Sequence, residues 1–209
     1  GVIVYLHGFN SGATSGKATW LKQNLPDITV LSPTYPTHQA DAAPGFLRDY
    51  FARVRAEHPN DKKLLLVGSS LGGFWARYLA PELGAGMALI NPAMYPETDL
   101  MDVIGPNKNE ATGEEYVLTA EQVRALARYQ IPRCNPKVPT LVLLDEGDDV
   151  LDYRMAQAYY RDCGKTIVYP GGSHRFDHMA EALPEIRRLY DSMDGGGRAT
   201  SGTVADDSL

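Results

Sequence analysis

Six short apolar runs, at residues 2–6, 29–32, 64–67, 86–90, 140–144 and 166–169, are each closed by Gly, Pro, Asn, Asp or His. Runs this short and this uniformly apolar suit strands covered on both faces, as in a parallel sheet whose crossover helices bury each side. Helical patterns at 43–58, 74–83, 152–163 and 178–193 occupy the gaps between them. The alternation predicts an α/β, three-layer domain with a mostly parallel sheet of about six strands and right-handed crossovers. A hydrophobic content of 44% over 209 residues is enough for one sizeable core, placed here at 1–193. The Gly/Ser/Asp-rich segment 194–209 has no periodic apolar residues and reads as a flexible tail.

One stretch breaks the alternation. Residues 94–138 delay the fifth apolar run, are punctuated by prolines and carry a helical pattern at 119–129. This reads as an inserted, helical, cap-like segment over a site, or equally as a long connection packed on the sheet. Several function classes are excluded by charge and hydropathy. A net charge of -6 with no basic block leaves no nucleic-acid footprint. No apolar run nears the roughly 18 residues needed to span a bilayer. The first residue lies directly in a strand-like run without room for a signal peptide, so a cytoplasmic location is expected. Cys134 and Cys163 have neither CxxC nor metal-ligand spacing. They read as two ordinary intracellular thiols rather than metal ligands.

The third apolar run enters Gly68-Ser69-Ser70-Leu71-Gly72 and then the helical pattern at 74–83. A strand turning sharply into a helix leaves the residue at its tip strained and exposed, with small neighbours so that the two elements can pass. Ser70 is therefore the candidate nucleophile. The absence of a following Gly-Lys-Ser/Thr disfavours a phosphate loop. The amide of Leu71, at the helix start, is one candidate oxyanion donor, and the amide of Phe9, after Tyr5-Leu6-His7-Gly8, is the second. His7 reads as a structural histidine holding that loop.

His174, in Gly171-Gly172-Ser173-His174, follows the last run and would be delivered at the C-terminal edge of the sheet. It is the candidate general base, with His178 as fallback. The loop after the fifth run offers Asp145, Glu146, Asp148, Asp149 and Asp152. Asp148, in mid-loop, is the best placed to orient the imidazole. Asp149 is next, and Asp152 reads as a helix cap. Asn10, Ser11, Tyr35 and Tyr95 are candidate substrate-binding residues, whereas Phe74 and Trp75 have the spacing of core residues.

The segments Tyr5 to Ser11, Gly68 to Gly73, Ile90 to Ala93, Tyr116 to Leu118, Gly147 to Tyr153 and Gly171 to His174 together resemble the small bacterial YqiA-type esterases of the α/β-hydrolase superfamily. The resemblance implies a Ser-His-Asp serine hydrolase acting on small ester or thioester acyl substrates, without metal or organic cofactor. It also supports Asp148 as the acid. An amidase, peptidase or acyltransferase on the same triad is the alternative, and a non-catalytic binding protein of the same fold is a further one. Oligomeric state is not readable from these residues.

Overall fold

The computed structural model describes residues 1–194, so the tail expected at 194–209 lies, apart from Asp194, outside the described residues. Among the described residues, eight strands form: β1 (Val2–Leu6), β2 (Thr29–Leu31), β3 (Leu64–Ser69), β4 (Gly86–Ile90), β5 (Gly105–Lys108), β6 (Glu115–Leu118), β7 (Thr140–Asp145) and β8 (Lys165–Tyr169). Six of them make one sheet in the order β2-β1-β3-β4-β7-β8, with every pairing parallel.

Side-chain alternation sorts the central strands onto two cores. Val2, Val4, Leu64, Leu66, Met87, Leu89, Val142 and Leu144 face one cluster. Their neighbours Ile3, Tyr5, Leu65, Val67, Ala88, Ile90, Leu141 and Leu143 face the other. Helices α2 (Ala43–Glu57), α3 (Leu71–Leu83) and α6 (Tyr153–Tyr159) cover the first face, and α1 (Gly16–Asn24) and α7 (Met179–Ser192) cover the second. Each fully buried Leu or Ile contributes roughly 1.5–3 kcal/mol relative to exposure, which is why a strand without a polar face is stable here.

Burial on both faces holds for β1, β3, β4 and β7 but not for the edges. β2 and β8 are partly exposed, because each has a neighbour on one side only. The helix α1 escaped the sequence reading. Its apolar residues are sparse, and its start is marked by Ser15, whose hydroxyl accepts from the Ala18 amide at 3.3 Å.

The insertion is more varied than the expected helical cap. It holds the short helices α4 (Pro96–Asp99) and α5 (Ala120–Ala125), two 3-10 turns at Leu100–Val103 and Leu126–Tyr129, and an antiparallel hairpin of β5 and β6. Thr119 and Gln122 cap α5 reciprocally, as a capping box. The hairpin was hidden because its strands are half-exposed and carry Gly105, Pro106, Asn107 and Lys108, residues with little strand preference.

A second expectation fails at the far end of the insertion. Cys134 and Cys163 are not free thiols; they form a disulfide with Cα atoms 6.3 Å apart. The pairing follows from packing, since the residues leaving the insertion run beside α6, where the Tyr159 hydroxyl donates to the Ile131 carbonyl at 2.8 Å.

Candidate active site

The order of the sheet decides where loops converge. The chain leaves β1 toward β2 on one side and returns to β3 on the other, so the carboxyl ends of β1 and β3 flank a switch point. Ser70 stands there, between the end of β3 and the first residue of α3, at φ 55° and ψ -120°. A Cβ on Gly72 would lie 1.9 Å from the Leu6 carbonyl oxygen, and one on Gly68 would lie 2.4 Å from that of Gly72. Only glycine permits these approaches. The Ser70 amide donates to the Ile90 carbonyl at 3.1 Å, and its own carbonyl accepts from Ala93 at 2.9 Å, so the strained turn is pinned to the end of β4.

Although Ser70 occupies the N-cap position of α3, its side chain caps nothing. The hydroxyl is spent instead on His174, with Oγ 3.0 Å from Nε2. On the other side of the ring, Nδ1 lies 3.0 and 3.1 Å from the two carboxylate oxygens of Asp148. The Val150 and Leu151 amides donate to Asp148 Oδ1 at 3.0 and 2.9 Å. Burial pushes the Asp148 carboxyl up, but His174 and these two amides together outweigh it and hold the group below its ordinary value. Asp149 takes a different place, its carboxylate accepting the His174 backbone amide at 3.2 Å. Asp152 caps α6 through the Arg154 amide at 3.0 Å, in keeping with its sequence reading. Among the described residues, no group of three or more His, Cys, Asp or Glu side chains is arranged to hold a metal ion.

Neither the Phe9 nor the Leu71 amide donates to a protein acceptor among the described residues. The loop between β1 and Phe9 passes close to the nucleophile, since a Cβ on Gly8 would meet Ser70 Cβ at 3.5 Å. His7 shapes that loop from a fully buried position. Its Nδ1 lies 2.9 Å from the Gly8 carbonyl and its Nε2 3.4 Å from the Tyr35 amide. A ring that donates at Nδ1 and accepts at Nε2 is neutral, and burial lowers the His7 pKa accordingly.

Tyr35, a candidate from its loop position, is 2% exposed, stacks on His7 and donates its hydroxyl to the His7 carbonyl at 2.7 Å, so its ring and hydroxyl are engaged within the fold. Asn10 and Ser11 are also committed to the fold. Asn10 donates from Nδ2 to Asn107 at 3.1 Å, accepts the Tyr116 hydroxyl and gives its carbonyl to Glu110, while the Ser11 carbonyl accepts from Asn109. The hairpin is thereby fastened to the loop that follows β1. Tyr95, in contrast, is 46% exposed, two residues beyond the Ala93 amide that binds Ser70. Phe74 and Trp75 are buried in the core, as their spacing suggests.

One organising residue was given no role of its own in the sequence reading. Asn91, buried directly after β4 at φ 40°, donates from Nδ2 to the Ser173 and His174 carbonyls at 3.0 and 3.1 Å and accepts the Asp145 amide at 2.9 Å. An Asn between a strand and Pro92 was its one visible signal. His178, the fallback base, turns to Asp145 rather than toward Ser70, with Nδ1 2.6 Å from the carboxylate.

The chain shares its fold with solved α/β-hydrolase structures. Est1E from Butyrivibrio proteoclasticus superposes with a TM-score of 0.67 at 19% identity, over 91% of this chain and 85% of that one. Paleococcus ferrophilus monoacylglycerol lipase gives 0.66 at 16% identity, over 91% and 94%. Alpha/beta hydrolase domain-containing protein 10 from mouse gives 0.65 at 14%, over 91% and 88%. In sequence, a UPF0227 protein of Yersinia enterocolitica is 25% identical over 188 residues, which is 89% of this chain and 97% of that protein. A relative from Yersinia pseudotuberculosis is 24% identical over the same length. With the family profile matching residues 2–191, the chain belongs to UPF0227, described as an uncharacterised protein family.

Proposed function

We propose that this protein is a serine hydrolase that cleaves carboxylic ester or thioester acyl bonds through an acyl-enzyme on Ser70. The observation that carries the reading is the unbroken run of hydrogen bonds from Ser70 Oγ through His174 to Asp148, at 3.0 Å on each side of the imidazole. An acid held charged on Nδ1 leaves Nε2 free to take a proton, and the ring then bears a positive charge beside a carboxylate. In the proposed reaction Ser70 Oγ attacks the acyl carbon as its proton passes to His174 Nε2. The oxyanion forms toward the Phe9 and Leu71 amides, and the leaving group departs with the proton. Water, deprotonated by His174, then releases the acid and restores Ser70.

The names of the structural neighbours, esterases and lipases among them, agree with this chemistry, but at such low identity they speak to the fold alone. The exposed Tyr95 ring is the proposed contact for the acyl or leaving group, whereas Asn10 and Ser11 act on substrate through the shape of their loop. The test is Ser70→Ala, measured on short nitrophenyl acyl esters and by fluorophosphonate labelling. Turnover should fall to the uncatalysed background and labelling should vanish. Persistent hydrolysis by a folded Ser70→Ala protein would sink the reading.

A further inference from the structure

We propose that Asp145 and His178 act as a positioning pair that shapes the loop carrying His174, and that the Ser70–His174–Asp148 alignment depends on it. The proposal rests on the hydrolase reading above and adds residues that the reaction itself does not use.

Asp145 is the last residue of β7, three positions before Asp148, and is fully buried. Its Oδ2 accepts the amides of Ser173 at 3.2 Å and Asp177 at 2.8 Å, while its Oδ1 receives His178 Nδ1 at 2.6 Å. These three donors bracket His174 on both sides. Asn91 closes the arrangement from β4, holding the Asp145 amide with one end of its side chain and the Ser173 and His174 carbonyls with the other. The carboxylate ending the strand that presents the acid therefore also shapes the loop that presents the base.

The loop could not keep this path unaided. Gly171, Gly172 and Phe176 all have positive φ, at 68°, 78° and 65°. A Cβ on Gly172 would lie 1.9 Å from Asp145 Oδ2, so the backbone is wrapped as closely as glycine allows. Backbone in such conformations persists only where its surroundings over-determine it. His178 supplies two of the restraints, the short bond to Asp145 and a ring stacked on Tyr169 with centroids 4.9 Å apart and planes at 11°. Its outer nitrogen lies 3.9 Å from Glu181, an exposed group. Removing the Nδ1 donor would leave a buried carboxylate short of one partner, and the loop would have to move to satisfy it.

Two substitutions separate the donor from the ring. His178→Phe keeps a stacked ring and removes the donor; His178→Asn supplies an amide N–H near the place of Nδ1 and removes the ring. Each full-length protein is measured for kcat and KM on a nitrophenyl acyl ester, for thermal melting, and for the downfield proton NMR signal of His174 Nδ1–H shared with Asp148. In His178→Phe, kcat should fall by on the order of 10²-fold with KM changed by less than about twofold, because displacement of a reacting group misaligns the step without touching substrate binding. The downfield signal should be lost with it, and His178→Asn should recover both.

Unchanged kcat and signal in a folded His178→Phe protein would overturn the proposal. So would an equal loss in both variants that simply tracks melting temperature, since ring packing would then be the whole effect. If His178→Phe does not fold, His178→Asn decides, with retention of the signal supporting the pair and its loss refuting it. If the wild-type protein hydrolyses nothing, the hydrolase reading falls by itself, and the NMR comparison still decides whether His178 sets the His174–Asp148 bond.

Discussion

Among the described residues, the four non-glycine residues with positive φ are Asn10, Ser70, Asn91 and Phe176, and each lies past the carboxyl end of a different strand. Strain of roughly 1–3 kcal/mol per residue is thus gathered where a site would need it. Residues of this kind yield sharp expectations. Asp148→Asn should lower kcat by about 10³–10⁴-fold, because the amide can hold the wrong imidazole tautomer, whereas Asp149→Asn, which keeps an oxygen to accept the His174 backbone amide, should stay within about tenfold. Steady-state kinetics on the two variants separates them. Gly72→Ala should destabilise the fold by more than about 3 kcal/mol in urea titration, since its Cβ would strike the Leu6 carbonyl. Ser70, Asp148 and His174 were legible because each chemistry-bearing residue sits in a short, glycine-marked loop after an apolar run. Asn91, Asp145 and His178 were not assigned these roles, because their work depends on which loops face each other across the sheet. The burial of Tyr35 was hidden for the same reason: a proline-flanked loop looks exposed until His7 is found beneath it.

At the scale of elements, the six strands of the main sheet and the helices α2, α3, α6 and α7 follow from apolar periodicity, and their limits differ from the sequence reading by a few residues at most. The insertion resists such reading, for a physical reason. Its hairpin is stabilised by side-chain bonds to the Asn10 loop and by Asn109, which accepts the Ala111 and Thr112 amides at 2.8 and 3.0 Å, rather than by an apolar stripe. The Cys134–Cys163 bond is equally silent in sequence, joining positions 29 apart that only packing makes neighbours. In the chain-entropy account a closed loop of this length stabilises the native state by about 3–4 kcal/mol. Urea titration with and without a thiol reductant should show a loss of that order. The unreduced protein should take up no thiol-specific maleimide under denaturing conditions, because both cysteine sulfurs are in the bond.

For the whole molecule, the lowered pKa of buried His7 makes stability depend on pH in a definite direction. The folded state binds that proton less readily than the unfolded chain, whose histidine titrates near 6.5, so His7 adds nothing above that pH and opposes folding below it. Stability should therefore decline as pH falls from about 7 to 5. His7→Gln, though less stable at neutral pH, should flatten that part of the slope in melting experiments. Among the described residues, no helix is long and apolar enough to cross a membrane. The parallel sheet also imposes a timetable. Ser70 lies 104 residues from His174, and the two meet only after β8 has paired with β7 and its following loop has settled. Contacts so distant along the chain carry the largest loop-closure cost and are the slowest to form. Serine reactivity is thus a clock for the last stage of folding: after dilution from urea, core burial should recover before Ser70 accepts a fluorophosphonate.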